Sequence, residues 1–419
     1  MHGLFRRTPM VNLTLAPGAG LAGPDRGVAV PPSRRGKKGP VGRLCVRSAV
    51  CPVCPICPCP ALELLFSSFS YFAMAPSYTP ETRQDRITNR WVAFAPSRSD
   101  RPKRTEAESA SSPPAEAPPV EGCPFCPGHE AMLPSVIWEK PQEAPPGWTT
   151  RVVPNKYAAL APDQNGAPRS STLYRTRASR GRQEVIIDTP RHHQPLAHMS
   201  VAQVDAVLET YLQRYHAIRS ADEELIPALF RNHGARAGAS IPHPHSQLIA
   251  PNFRPPQIER EERAARARYE ELGACPYCVM IENELDTEDR LVWTNEAFVV
   301  FVPFAAEVPY EMWILPRTHD PEFGRLAAED RTALAQALRT VLQRLHQCLN
   351  DPDYNFFVRT ALDYDTSQAH LHWSLRIRPR TTVQAGYEVG TGQRINPSIP
   401  ERDAAVLRPP DGSANGNPA

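Results

Sequence analysis

The chain has 419 residues, which allows two domains at roughly 150 residues each. Its 41% hydrophobic and 22% charged residues are ordinary for a globular protein. The 47 basic and 45 acidic side chains leave a net charge of +2, which supports neither a general nucleic-acid role nor a membrane-surface role, and no apolar run approaches the ~20 residues that span a bilayer.

Proline, at 47 residues, is about twice its usual share. Much of it lies in the first 60 residues and in Ser109–Pro119. The first 60 residues carry nine Arg or Lys and one acidic residue, a basic leader that reads as an organelle transit peptide. The alternative is a start at Met74, leaving the leader untranslated. The compartment is accordingly a plastid or the cytoplasm. The cysteines of CPVCPICPCP are too crowded by prolines to specify a metal site. Residues 1–80 are therefore expected to be a disordered leader. Folding is expected from about Thr82, with Ile87–Ala95 as a strand, a Pro-rich linker to Gly122, and then Cys123-Pro-Phe-Cys126. Val185–Asp188 reads as a short strand. Ser200, with Gln203 three residues on, opens a helix as a capping box, and Val204, Val207, Leu208, Tyr211, Leu212 and Tyr215 follow its period. Strands are expected at Ala228–Asn232 and Pro244–Ala250. In the second half come Cys275-Pro-Tyr-Cys278 and strands at Leu291–Trp293, Phe298–Val302 and Tyr310–Leu315. A helix bearing Leu334 to Leu349 follows, with strands at Tyr354–Thr360 and His370–Ile377. Cys348, alone in that helical pattern, reads as a core residue.

Each half thus runs C-P-x-C, strands, His, helix, strands, H-x-H. His192 and His243 are 51 residues apart, as are His319 and His370. Internal duplication is the simplest explanation. It implies a first half over 81–252, a second over 253–405, and a disordered tail over 406–419.

Cys123, Cys126, His192 and His243 make a two-thiolate, two-imidazole set suited to tetrahedral zinc. A redox dithiol or buried free cysteines are the plainer alternatives. Cys275, Cys278 and His319 form a second set, whose fourth ligand is His370 by equal spacing or His372. One zinc per half follows. On a strand, His243, His245 and Gln247 share a face. If His243 meets a metal, His245 reaches the adjacent cleft. There an imidazole attacks a phosphoryl group, provided its other nitrogen is held, and Gln247 donates to the phosphoryl oxygens. A satisfied core histidine is the usual reading of a lone imidazole, but here it has to account for H-x-H, the Gln and the upstream glycines of Asn232–Ser240 together. That segment offers the close backbone approach and the donors a diphosphate needs.

The chain resembles the galactose-1-phosphate uridylyltransferase family of the histidine-triad superfamily, most closely the branch containing plant ADP-glucose phosphorylase. The resemblance covers roughly residues 81–405. It is carried by Thr88-Asn-Arg-Trp-Val92, Pro96-Ser-Arg98-Ser-Asp-Arg101-Pro, CPFC, Val153-Pro-Asn155-Lys-Tyr157, Asn232 to Gln247, and Ala385-Gly-Tyr387-Glu388-Val-Gly-Thr-Gly-Gln393. It implies an α+β, duplicated histidine-triad fold, two antiparallel-sheet halves each with packed helices, and a homodimer. It also implies ping-pong transfer of a nucleoside monophosphate through a covalent intermediate on His245, with Gln247 stabilising it. By the same resemblance Arg98, Arg101, Asn155, Asn232, Gly238 and Ser240 would contact the nucleotide, and Tyr387, Glu388 and Gln393 the hexose. Ser246 replaces the Gly of the best-known uridylyltransferases and Thr382-Val383 their Lys-Phe pair, while Gln393 is retained.

Two activities stay open: UMP exchange between a UDP-hexose and a hexose 1-phosphate, or AMP transfer from ADP-glucose to inorganic phosphate. A third reading is a dinucleotide phosphorylase or hydrolase on the same scaffold. A rival from another class, a zinc-ribbon nucleic-acid binder, requires a basic patch with exposed aromatics. The nearest candidate, Arg254–Arg268, mixes Glu with Arg and reads as a solvated helix.

Overall fold

Strand pairing organises the chain around one ten-stranded sheet and a smaller three-stranded one. The computed structural model describes residues 79–100, 120–142, 147–163, 166–363 and 368–410. Residues 1–78 of the expected leader, the Ser109–Pro119 stretch and Arg101 lie outside them. Among the described residues no helix is long and apolar enough to cross a membrane.

The expected single strand over 87–95 is instead a hairpin of β1 (Glu81–Asp85) and β2 (Arg90–Phe94). Asp85 accepts the Ile87 and Thr88 amides, and Asn89 turns the chain at φ 56°. The next strands are β3 (Trp138–Gln142), β4 (Gly147–Pro154), the short pair β5 (Arg169–Ser170) and β6 (Arg175–Thr176), and β7 (Gly181–Ile187). Helix α1 (Val201–Ala221) precedes β8 (Ala228–His233) and β9 (His245–Pro251). Helices α2 (Pro256–Leu272) and α3 (Pro276–Thr287) join the halves. Then come β10 (Leu291–Thr294), β11 (Phe298–Phe301), β12 (Met312–Pro316), α4 (Ala328–Leu349), β13 (Tyr354–Arg359) and β14 (Ser374–Pro379). The chain closes with α5 (Gly386–Thr391), β15 (Arg394–Asn396) and α6 (Pro400–Leu407). Residues 406–410 of the expected tail are instead part of the fold: Leu407 is fully buried, and Arg344 and Arg408 tie this end to the second half; 411–419 lie outside the described residues.

Read outward from the centre, the large sheet runs β8-β9-β7-β4-β3 on one side and β13-β14-β12-β11-β10 on the other. The α+β duplication is therefore visible as one strand order used twice, joined where β8 pairs with β13. The helices α1 and α4 cover one face, burying Ile186, Leu229, Leu248, Phe356 and Leu375. On the other face the Cys123–Cys126 loop packs at one end with Val153, Val185 and Ile187, and α2 with α3 packs at the other over Phe301 and Trp313. Between them β9, β8 and β13 alternate buried and half-buried residues. This leaves a central strip of Gln247, Phe230, Asn232, Asn355 and Phe357 partly open. Paired residues share a face, so the register Val185–Gln247–Phe230 and Asn232–Asn355 puts these side chains on one side of the sheet.

Candidate active site and metal centres

The strip meets the first Cys/His cluster at the start of β9. Cys123, Cys126, His192 and His243 are all buried, and their donor atoms lie within 4.8 Å of one another. Cys126 Sγ is 3.4 Å from His192 Nδ1 and 3.6 Å from His243 Nδ1, and Cys123 Sγ is 3.8 Å from His243 Nδ1. Tetrahedral zinc with sulfur at ~2.3 Å and nitrogen at ~2.0–2.1 Å sets neighbouring donors about 3.6 Å apart, so the donor set fits. His243 Nε2 donates to the Thr189 carbonyl at 2.7 Å, which leaves Nδ1 for the cluster. Burial lowers the pKa of His243 to about 4 and that of His192 below its usual value, holding both neutral as ligation requires. Burial likewise raises the Cys126 thiol.

The second cluster is Cys275, Cys278, His319 and His372, again within 4.8 Å, with Cys278 half-buried and His319 exposed. Cys278 Sγ lies 3.4 Å from His319 Nδ1 and 3.6 Å from His372 Nδ1, and His372 Nε2 donates to the Pro316 carbonyl at 2.9 Å. Hydrogen bonding from Cys278 stabilises the Cys275 thiolate, lowering its pKa to about 4, while Cys278 is pushed up. His370, nominated by equal spacing, is not in the cluster. It packs edge-on near Tyr269. The reason is loop length. The face-sharing pair Phe230 and Gln247 spans 17 residues, and its counterpart Phe357 and Arg376 spans 19, so the second loop is two residues longer. His372 therefore matches His243, each standing two residues before its strand. Ser374 stands where His245 does, and Arg376 where Gln247 does.

His245 is 7% exposed, and its Nδ1 lies 2.8 Å from its neighbour His243's carbonyl. A carbonyl only accepts, so Nδ1 carries the proton and Nε2 keeps its lone pair. Burial lowers the pKa of His245, against the opposing pull of that carbonyl. Phe125 of the CPFC loop packs edge-on against it, ring centres 5.4 Å apart. On the opposite face Ser246 Oγ bonds Tyr211 of α1 at 2.5 Å and donates to Asp188, which forms a fully buried ion pair with Arg231. Sequence reasoning did not find Asp188, Arg231, Tyr211 or Phe125. The available signal was a charge in each of two apolar strands, VIID and ALFRN.

Gln247 shares the strip with His245. Asn155 follows β4, donating its amide to the Gln183 carbonyl, while its Oδ1 accepts from Tyr157 N–H at 2.9 Å. Gly234 and Gly238 take φ of 80° and 92°, and Ser240 is exposed at the end of that turn. The other expected contacts stand elsewhere. Arg98 follows β2, and Gln393 precedes β15, which runs parallel to β2. Tyr387 Oη donates to Gln393 Oε1 at 2.6 Å. Both Glu388 oxygens accept main-chain amides, from Ala385 and Ile395. Gln393 opens on a cleft of about 880 Å³ that also exposes Arg260, Arg263 and Trp91. The expected solvated helix is α2, but Glu261 on it is buried and holds Arg90, Arg359 and Arg376.

The N-terminal domain model of galactose-1-phosphate uridyl transferase matches residues 70–255, and the C-terminal domain model of the same family matches 268–412. An ADP-glucose phosphorylase of Arabidopsis thaliana is 34% identical over 335 residues, 79% of this chain and 93% of that protein. A galactose-1-phosphate uridylyltransferase of Thermotoga maritima is 28% identical over 337 residues, 78% and 98% of the two. The crystal structure of an Arabidopsis thaliana ADP-glucose phosphorylase with bound ADP-glucose superposes with a TM-score of 0.68 at 33% identity, covering 79% of this chain and 98% of that one. On these matches, spanning both halves, the chain belongs to the galactose-1-phosphate uridyl transferase family.

Proposed function

We infer that the protein is a nucleotidyltransferase that works through a nucleotidyl-histidine on His245. The observation that carries this is the His245 imidazole: buried, neutral, and held at Nδ1 by the His243 carbonyl. Nε2 attacks the nucleotidyl phosphorus of a nucleotide sugar. The N–P bond forms, the P–O bond to the sugar phosphate breaks, and hexose 1-phosphate leaves with the electron pair. A phosphate oxygen of the second substrate then attacks phosphorus and breaks the N–P bond. Gln247, on the same face, donates to the phosphoryl oxygens as charge shifts, and the Asn232–Ser240 turn holds the diphosphate. No base is needed to deprotonate the nucleophile.

Zinc is the metal that the two clusters suit, one held by Cys123, Cys126, His192 and His243, the other by Cys275, Cys278, His319 and His372. Bound there it pins the loop carrying Phe125 and the start of β9. Its contribution is structural, since each set closes on four protein ligands.

As a member of its family, the chain is read first as exchanging UMP between a UDP-hexose and a hexose 1-phosphate. The second reading, AMP transfer from ADP-glucose to inorganic phosphate, is supported by the 34% identity to the plant phosphorylase. The test is a half-reaction without acceptor, read by intact-protein mass. A UMP-sized adduct from UDP-glucose supports the first reading and an AMP-sized adduct from ADP-glucose the second, each absent in His245→Ala. No adduct from either, with metal bound and the fold intact, overturns the covalent mechanism.

A further inference from the structure

The second half has no histidine at the position of His245, yet it reaches into the first half's phosphate turn. β13 pairs with β8 so that Asn355 stands opposite Asn232. Asn355 Nδ2 donates to Asn232 Oδ1 at 2.8 Å and to the Ala237 carbonyl at 2.8 Å. Ala237 lies inside the Gly234–Gly238 turn, which closes on itself through bonds from the Ala237, Gly238 and Ala239 amides. Two residues earlier, the Asp353 carboxylate accepts the Arg236 amide at 2.5 Å. It also fills the space beneath Gly234, where any Cβ would overlap it.

These bonds fix the direction of two amides in sequence. The Ala237 carbonyl only accepts, so Asn355 must present its NH2 there. The same NH2 then requires the oxygen of Asn232 rather than its nitrogen. With its oxygen committed, Asn232 turns its own NH2 toward Gly238, and Nδ2 lies 3.7 Å from where a Cβ on that glycine would sit. That is the turn to which the proposed function gives the diphosphate.

We propose that Asn355 is a positioning residue for a nucleoside diphosphate: through the Ala237 carbonyl it sets the Asn232 amide so that Asn232 donates to the ligand, and Asp353 seats the turn on which this depends. The noncatalytic half thereby shapes the nucleotide site of the catalytic half without touching substrate. The inference rests on the nucleotidyl-transfer reading and adds residues that reading does not contain.

The test is the half-reaction with UDP-glucose and with ADP-glucose, following adduct formation against concentration in wild type, Asn355→Ala, Asn232→Ala and the double variant. Metal content and melting temperature are read alongside. Losing the set donor is expected to raise the half-saturating concentration roughly tenfold to a hundredfold in Asn355→Ala. The saturated rate should change by less than about threefold, because His245 is untouched. The double variant should be no weaker than Asn232→Ala alone, since Asn355 acts through Asn232. Asn355→Asp, of the same size, removes the donor without opening space. It is expected to weaken binding at least as much, because the new carboxylate takes the Asn232 NH2 for itself. Half-saturation within twofold of wild type in either Asn355 variant, or additive losses in the double variant, overturns the proposal while leaving the His245 chemistry standing. Absence of an adduct in wild type itself overturns both.

Discussion

At the scale of single residues, burial of His245 answers two demands at once. As the proposed nucleophile the residue would have to be buried enough to exclude water from a nucleotidyl intermediate, and neutral enough to attack. Burial supplies both, because desolvation favours the uncharged imidazole. An ordinary histidine titrates near ~6.5. With its pKa lowered, His245 stays neutral below that value and is lost as a nucleophile only as pH falls through the lowered one. The single-turnover rate of adduct formation should therefore hold flat from neutral pH to below ~6.5 before it declines. A decline centred at or above that value would sink the desolvation account. The support behind His245 is equally specific. Asp188 and Arg231 are each almost wholly buried and answer one another. Removing one partner strands a charge, so Asp188→Ala should cost about 3–5 kcal/mol in denaturant unfolding. Ser246→Ala, which removes one bond each to Asp188, Tyr211 and Arg231 but leaves the ion pair itself in place, should cost about 1–3 kcal/mol. Equal losses from both substitutions would argue against an ion pair as the main term.

At the scale of elements, legibility followed whether the determining contact was local. Helix α1 could be read because Ser200 caps its own Gln203 amide and the apolar period is strong. The expected reciprocal half of the capping box is missing, since the Gln203 side chain donates instead to the Thr149 and Asp188 carbonyls, a tertiary choice. The β1–β2 hairpin was invisible because its turn depends on Asp85 and on the left-handed Asn89, not on Gly or Pro. The shared face of His245 and Gln247 was legible from HPHSQ. Asp188, Arg231 and Tyr211 were not, because three separate segments meet only after the sheet forms. The choice left open between His370 and His372 turned on a loop two residues longer in one half, which spacing alone cannot locate. The corrected pairing yields a metal prediction. The first cluster is wholly buried, while the second exposes His319 and half-exposes Cys278. A graded chelator should remove one metal equivalent per chain ahead of the other. His372→Ala should abolish the early release by leaving only the slow equivalent, and His370→Ala should retain both. Loss of metal in His370→Ala would restore the equal-spacing assignment.

At the scale of the whole molecule, the expected site residues fall into two groups. His245, Gln247 and Asn232 lie along the central strip of the large sheet. Arg98, Tyr387 and Gln393 lie around the three-stranded sheet of β1, β2 and β15, which packs through Val92 and Phe94 onto Ala305 and Ile399. One chain thus carries the proposed nucleophile on the large sheet and the hexose candidates around the small one. A homodimer in which each copy presents its second surface to the other's first would complete two equivalent sites, the self-complementary arrangement of a two-fold interface. Complementation tests this directly. His245→Ala destroys one surface and Tyr387→Ala/Gln393→Ala the other, so each variant alone should be nearly inactive. When the two are denatured, mixed in equal amounts and refolded together, random pairing makes half the dimers hybrids. Each hybrid holds one site with both surfaces intact, so activity should return to about a quarter of wild type per site. If each chain completes its own site, no mixture restores anything, because every chain carries a lesion. Recovery near a quarter would therefore place the hexose residues across the interface, and no recovery would return them to the chain that bears His245.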